Sequence, residues 1–417
     1  MKFCSRCLYS SSHPLNLIID DEGVCSGCRV HEEKDFLDWN NRENKLKEIL
    51  DLYKNKSGNN YDCIIPVSGA RDSYFIVDLI KNKLGMNPLL VTYNKHYNTD
   101  VGVRNLAELR IKFDCDIMTL TVNPETVKKI TRATIRKMGS IYWHCLSGQT
   151  VFPIQIAVKF KIPLIIWGAH QGIDQVGMFS HLDEVEMTRK YRKEHDLMGF
   201  EAEDLIDEFD DITEQDITQY KYPDDKEIER VGVRGIYLNN YIRWDTKAQH
   251  EKMIQKYDYE TTKQTRTFDS YNDIDCYNYS DVHDYIKLIK HGYGKVVDHA
   301  TREIRLKRMT RQQGLELVRN YICKKPRNLD LFLNWIGMSE NGFYYMLDQH
   351  RNKKLWQRNE SWEWEFTDQY LIELENSFKT NNKLELSENF KDFILTNNKR
   401  STDATNKYIL ISKGVDK

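Results

Sequence analysis

Apolar residues fall into two alternating patterns between residues 61 and 168. Short unbroken runs predict buried strands at YDCIIPV (61–67), NPLLVTYN (87–94), CDIMTLTV (115–122) and IPLIIWG (162–168). Between them the apolar spacing is helical. Phe75, Ile76, Leu79, Ile80 and Leu84 share one face that ends at Gly85, and Val103, Leu106, Leu109 and Ile111 share another within 100–113. Residues 124–138 and 147–160 carry two further helical patterns. Repeated strand–helix units predict an α/β fold with a doubly wound parallel sheet. Residues 233–245, VRGIYLNNYIRWD, predict its last strand after an acidic insertion at about 175–230, in which 201–216 reads as a surface excursion. Residues 183–196 read as a solvated charged face, unless Arg189, Lys190 and Arg192 meet an anionic substrate. Upstream, Phe36, Leu37, Leu46, Ile49, Leu50 and Tyr53 predict a helical connector. Downstream, 259–350 reads as helical and 351–417 as a poorly patterned tail.

Ligands of doubly wound sheets sit at the carboxyl ends of strands. Two polar segments begin there. After the first strand comes Ser68-Gly69-Ala70-Arg71-Asp72-Ser73, and after 162–168 comes Gly168-Ala169-His170-Gln171-Gly172-Ile173-Asp174. A strand, a small-residue loop and a helix present free backbone N–H groups to an anion. Asp72 beside a phosphate implies a cation such as Mg²⁺ or a helix cap. His170 and Asp174 are candidates for the same nucleotide or metal site. Residues 139–149, GSIYWHCLSGQ, could line a pocket, with Cys145 a small buried hydrophobe or a nucleophile. Arg302, Arg305 and Arg308, together with Lys295 and His299, suggest a basic groove for phosphate or carboxylate.

Four of nine cysteines lie in the first 28 residues, as Cys4-x2-Cys7 and Cys25-x2-Cys28. Two such knuckles close a tetrahedral site suited to Zn²⁺, in a module over 1–35, with four thiolates leaving no open position for water. Lys and Arg total 61 against 63 Asp and Glu, which disfavours a broad nucleic-acid-binding face. No apolar run is long enough to span a membrane, and MKFCSRC lacks a signal-peptide core, so a cytoplasmic protein is expected.

Residues 68–73 resemble the S-G-G-x-D-S loop of the PP-loop ATP pyrophosphatases, within a domain over 36–258. Ala70 stands where the second glycine would be, and strain is expected there if that position needs a positive φ. More widely, the chain resembles the N-acetyl sugar amidotransferase family of bacterial surface-polysaccharide and nonulosonic-acid pathways. The resemblance rests on the cysteine knuckles, PVSGARDS (66–73), IIWGAHQG (165–172), EMTRKYRKEHDLMGFEAEDL (186–205), RGIYLNNYIRWD (234–245) and GYGKVVDHATREIRLKRMTR (292–311). It implies ATP with Mg²⁺, an N-acetylated sugar converted to its acetamidino form through an adenylylated intermediate, and structural Zn²⁺. It implies that Ser68, Gly69, Ala70, Arg71, Asp72 and Ser73, with Gly168 and Asp174, hold the nucleotide, and that Asp72, Ser73 and His170 serve catalysis. Position 2 is Lys and no cysteine sits in a G-x-C-x-G elbow. The chain is therefore not expected to hydrolyse glutamine itself, and the resemblance implies ammonia from a separate glutaminase with a cyclase-like channel partner, similar to the two parts of imidazole glycerol phosphate synthase. Two other readings fit fewer of these features: a PP-loop tRNA thiolase with a zinc module, and a non-catalytic nucleotide-binding scaffold.

Overall fold

The computed structural model describes residues 2–55, 57–367, 372 and 393–397. Its centre is a parallel five-stranded sheet: β1 (Cys63–Pro66), β2 (Pro88–Tyr93), β3 (Ile117–Leu120), β4 (Leu164–Trp167) and β5 (Arg234–Tyr237), in the order β3-β2-β1-β4-β5. Ile64 pairs with Leu89 on one side and Ile165 on the other. The chain reverses its direction of growth at β1, so a crevice opens between the carboxyl ends of β1 and β4.

The inner strands are nearly all apolar because both faces are covered. One face packs Ile65, Leu90 and Ile166 against Leu46, Ile49 and Leu50 of the helix Trp39–Tyr53 and against Tyr74 and Val77. That helix starts at Asp38, whose carboxylate accepts from the Asn41 N–H (3.0 Å). The other face packs Ile64, Val91 and Ile165 against Phe152 and Ile156.

Four expectations need correction. The segment 233–245 is strand only over Arg234–Tyr237. Asn239 and Asn240 are buried, and their side chains bond the His170 N–H and the Val185 carbonyl, which turns the chain into a 3-10 turn at Leu238–Asn240. The helix expected from 147 begins at Trp143, so most of the expected pocket loop 139–149 is helix. The charged stretch 183–196 is no continuous helical face: a 3-10 turn, an extended run and short helical turns follow one another there. The acidic excursion is anchored rather than loose. Leu205, Phe209, Ile212, Ile217 and Tyr220 are buried against Val127, Ile130 and Trp143.

Beyond β5 the chain forms the helices Thr246–Tyr257, Tyr277–His291, Lys295–Arg305, Arg311–Tyr321, Leu329–Ile336 and Glu340–His350. A two-stranded hairpin, Trp356–Arg358 with Trp364–Phe366, lies in the segment expected to be tail; most of that tail is outside the described residues. The cysteine module packs into this helical region. Leu8 and Tyr9 share a core with Tyr279, Val296, Ala300 and Leu315, and the Tyr9 hydroxyl donates to Asp298 (2.7 Å). Among the described residues no helix is long and apolar enough to cross a membrane.

Candidate active site

The loop after β1 is braced by its own serines. The Ser68 N–H donates to Ser73 Oγ (3.0 Å), and the Ala70 N–H donates to Ser68 Oγ (3.3 Å). The N–H groups of Gly69, Arg71 and Asp72 make no hydrogen bond to described residues. These are the donors an anion would take. Gly69 carries the positive φ, +78°. Ala70 sits at φ −80°, ψ 175°, an extended conformation open to any residue, so the expected strain is absent.

Arg71 is engaged inside the protein. It pairs with Asp72, donates through Nε to Asn272 and lies 5.7 Å over the Tyr271 ring. Burial raises the pKa of Asp72, an effect that Arg71 only partly opposes. Asp174 is half-buried, and the Lys34 ammonium against it holds its carboxyl below the usual range. No sequence signal marked Lys34, which lies in the connector and is only 3% exposed.

A cleft of about 550 Å³ brings together Arg71, Asp72, Asp174 and Lys34 with Lys295 and Arg302 of the helical region. A second cavity of about 320 Å³ lies across the loop, lined by Ser68, Thr92, Asn94, Lys95 and Asp275. The phosphate loop therefore stands between two cavities. Residues 269–275 reach both: Asn272 and Asp273 line the cleft, and Asp275 lines the smaller cavity, where it pairs with Lys95 (2.8 Å).

The structure separates other candidates from this group. His170 does not line the cleft; its ring is buried among Phe179, Tyr191 and Tyr237, and its backbone N–H donates to Asn239. Gly168 follows β4, and a Cβ there would come within 3.2 Å of Ile76 and Trp244. Arg189 pairs with Glu201 and Asp225 near the surface, while Arg192 pairs with Asp196 and lies 4.5 Å over Trp167. Cys145 is fully buried beside His144, and burial pushes its thiol up, the opposite of an activated nucleophile. The basic groove is largely neutralised from within. Arg302 meets Asp269 and Glu303, and Arg308 meets Asp245 and Glu303.

Burial lowers the pKa of His144 and His250 to about 3, and of His170, His283, His291 and His299 to about 4. These rings stay neutral in the fold while the unfolded chain protonates near pH 6.5. Each contributes nothing above that pH and destabilises increasingly as pH falls from 6.5 toward its folded value. At pH 5.5 each should therefore already lower stability relative to pH 7. We expect a Tm that falls steeply below pH 6.5 in calorimetry; a flat profile to pH 5 would contradict this.

The four N-terminal cysteines are buried, and their sulfurs all lie within 4.8 Å of one another. Cys4 and Cys28 stand 3.9 Å apart, and Cys7 and Cys25 3.5 Å apart. Tetrahedral thiolates at about 2.3 Å from Zn²⁺ would be about 3.8 Å apart, so the set fits that ion. Cys25→Ser should release one equivalent of zinc and unfold the module, read by metal analysis and circular dichroism. Retention of zinc would refute the site. Asp72 and Asp174, which both line the cleft, are oxygen donors of the kind Mg²⁺ takes.

The family described as LPS biosynthesis protein WbpG-like, C-terminal domain, matches residues 251–370. An uncharacterised protein of Methanocaldococcus jannaschii is 28% identical over 120 residues, 28% of this chain; the chain spans about 42% of that relative's length. Among solved structures, an NH3-dependent NAD synthetase from Campylobacter jejuni is 12% identical, covering 47% of this chain and 92% of that one, at TM-score 0.28. An NMN synthetase from Francisella tularensis is 13% identical, covering 53% and 96%, at TM-score 0.26. Strand order and the Ser68–Ser73 loop at the switch point define an α/β protein of the PP-loop type. Its helical region, over residues 251–370, matches the WbpG-like C-terminal domain of LPS biosynthesis proteins.

Proposed function

We propose that this protein is an ATP-dependent amidotransferase that converts the N-acetyl group of a sugar to an acetamidino group in lipopolysaccharide or related surface-glycan biosynthesis. The observation that supports it best is the placement of the loop. Free N–H groups of Gly69, Arg71 and Asp72 stand between two cavities, at the seam between the sheet and the WbpG-like region. The smaller cavity suits the nucleoside, and the larger one the sugar.

An amide oxygen is a poor leaving group. ATP supplies the phosphoryl electrophile that activates it, so that ammonia replaces the oxygen while AMP and pyrophosphate depart. The protein's part is placement and charge neutralisation. In this reading the loop donors hold the phosphates, Ser73 keeps the loop in shape, and Asp72 with Asp174 holds Mg²⁺. The cations Arg71, Lys295 and Arg302 face the cleft, each balanced by a protein partner. Ammonia would come from a separate glutaminase with a cyclase-like channel subunit.

The test is zinc-loaded protein with ATP, Mg²⁺, ammonium chloride and a panel of N-acetylated sugars, read by mass spectrometry and AMP release. The expected result is an oxygen-to-NH mass change in one sugar, matched by AMP. AMP release with tRNA as the acceptor, and no sugar product, would overturn the reading in favour of a thiolase-like enzyme. Glutamate released from glutamine by the pure protein would refute the separate glutaminase.

A further inference from the structure

The cysteine module reaches beyond its own core. The knuckle Cys25–Cys28 opens the helix Ser26–Glu33, and that first turn lies against residues 174–177, the loop behind β4. Ser26 Oγ donates to the Val176 carbonyl (2.7 Å). A Cβ on Gly177 would lie 2.3 Å from the Ser26 carbonyl oxygen, and one on Gly27 would lie 2.6 Å from that of Gln175. Backbone therefore touches backbone, and neither surface can shift alone.

Two buried cations fasten this contact. Arg305 donates through Nη1 to the carbonyls of Gln175 (2.6 Å) and Asp174 (3.3 Å). Its Nη2 lies 3.5 Å from Cys25 Sγ and 4.0 Å from Cys7 Sγ. Lys34, just beyond the same helix, pairs with the Asp174 carboxylate. Asp174 is thus gripped at its carbonyl by Arg305 and at its side chain by Lys34, while Arg305 also touches the sulfurs.

We infer that Lys34 and Arg305 are positioning residues that tie the metal state of the Cys4 module to the place of Asp174 in the cleft. Four thiolates around one Zn²⁺ carry a net charge of −2, and buried Arg305 is their nearby counter-charge. Because one guanidinium bridges the sulfur cluster and the 174–177 loop, a change in how the sulfurs are held shifts the group that grips the loop. Coupling between two sites is reciprocal, so a ligand that fixes Asp174 must also tighten the metal. The inference rests on the proposed magnesium–nucleotide site for its ligand, and its metal readout is independent of turnover.

The experiment measures zinc release from the full chain to a chromogenic chelator, with and without MgATP, alongside MgATP binding by calorimetry. MgATP should slow release by about fivefold or more, the lower range of ordinary couplings. Arg305→Met and Lys34→Met should each abolish that slowing and lower the kcat for AMP formation by about tenfold at little change in ATP KM, a loss of placement rather than of binding. Arg305→Lys should restore part of both. MgATP that binds without slowing release would overturn the coupling and leave the nucleotide reading intact. No binding of MgATP would overturn the nucleotide reading, and the coupling with it. Should Arg305→Met lose zinc or fail to fold, Lys34→Met decides, since Lys34 touches no cysteine. Wild-type coupling in that variant would refute the role of Lys34 and with it the inference.

Discussion

Asp72→Asn is expected to abolish ATP-dependent turnover, by about 10²–10³-fold, the loss typical of removing one electrostatic group aimed at developing charge. The substitution keeps shape and removes charge. Asp72 opens the first helical turn after the phosphate loop and lines the cleft with Asp174. Burial already works against its charged form. In the proposed reading a bound cation is the partner that offsets this and gives the charge its task. The same reasoning predicts that the variant folds at least as well as the wild type, because the desolvation cost goes with the charge. Arg71 would still hold Asn272. AMP release and a melting curve on one preparation check both halves. A loss of activity under about tenfold would remove Asp72 from the metal site. A lower Tm would mean that its pair with Arg71 is structural.

Much of this arrangement was legible in the sequence. Buried parallel strands are nearly all apolar, so β1, β2 and β4 announced themselves, and the loops that follow β1 and β4 could be placed at one crevice. The doubled cysteine knuckle was legible for a different reason: metal spacing is local. What the sequence hid depends on partners far apart in the chain. Arg302, Arg305 and Arg308 read as a basic groove because their partners Asp269, Asp174 and Asp245 lie dozens of residues upstream, and only the fold brings these together. Lys34 sits in a charged connector where one more lysine carries no signal. His170 follows the right strand, yet its ring turns among aromatic neighbours, since a loop's position does not fix the direction of its side chains. The stretch 258–276, expected to be helical from 259, forms neither helix nor strand between the helices that end at Tyr257 and begin at Tyr277, and it supplies Asn272, Asp273 and Asp275 to the site. Its order comes from buried polar bonds such as Asp269 to the N–H groups of Tyr271 and Asn272 (both 2.9 Å), which leave no hydrophobic pattern to read.

The departure from two glycines in the phosphate loop leads to the second large effect. Only Gly69 has a left-handed backbone, at φ +78°. A Cβ there would stand 2.9 Å from Leu106 Cβ and 3.0 Å from the Gly102 carbonyl oxygen. Gly69→Ala therefore meets two penalties. The left-handed conformation costs roughly 1–2 kcal/mol, and the crowding costs about 1–3 kcal/mol more unless the loop moves. Movement is the cheaper escape, and it carries the free N–H groups away from the phosphates. A displacement of about 1 Å is enough to cost about 10²-fold in rate. Ala70→Gly restores the usual glycine pair but relieves nothing, because Ala70 is already extended. It should leave turnover within about threefold of wild type and lower stability by less than about 1 kcal/mol through added backbone freedom. The two variants, assayed together for MgATP affinity and AMP release, separate two roles of glycine. If Ala70→Gly raised activity sharply while Gly69→Ala was mild, close phosphate approach at position 70 would set the rate, and the loop geometry described above would be wrong. The expected order is the reverse, since strain follows the sign of φ and only Gly69 has the sign that a side chain resists.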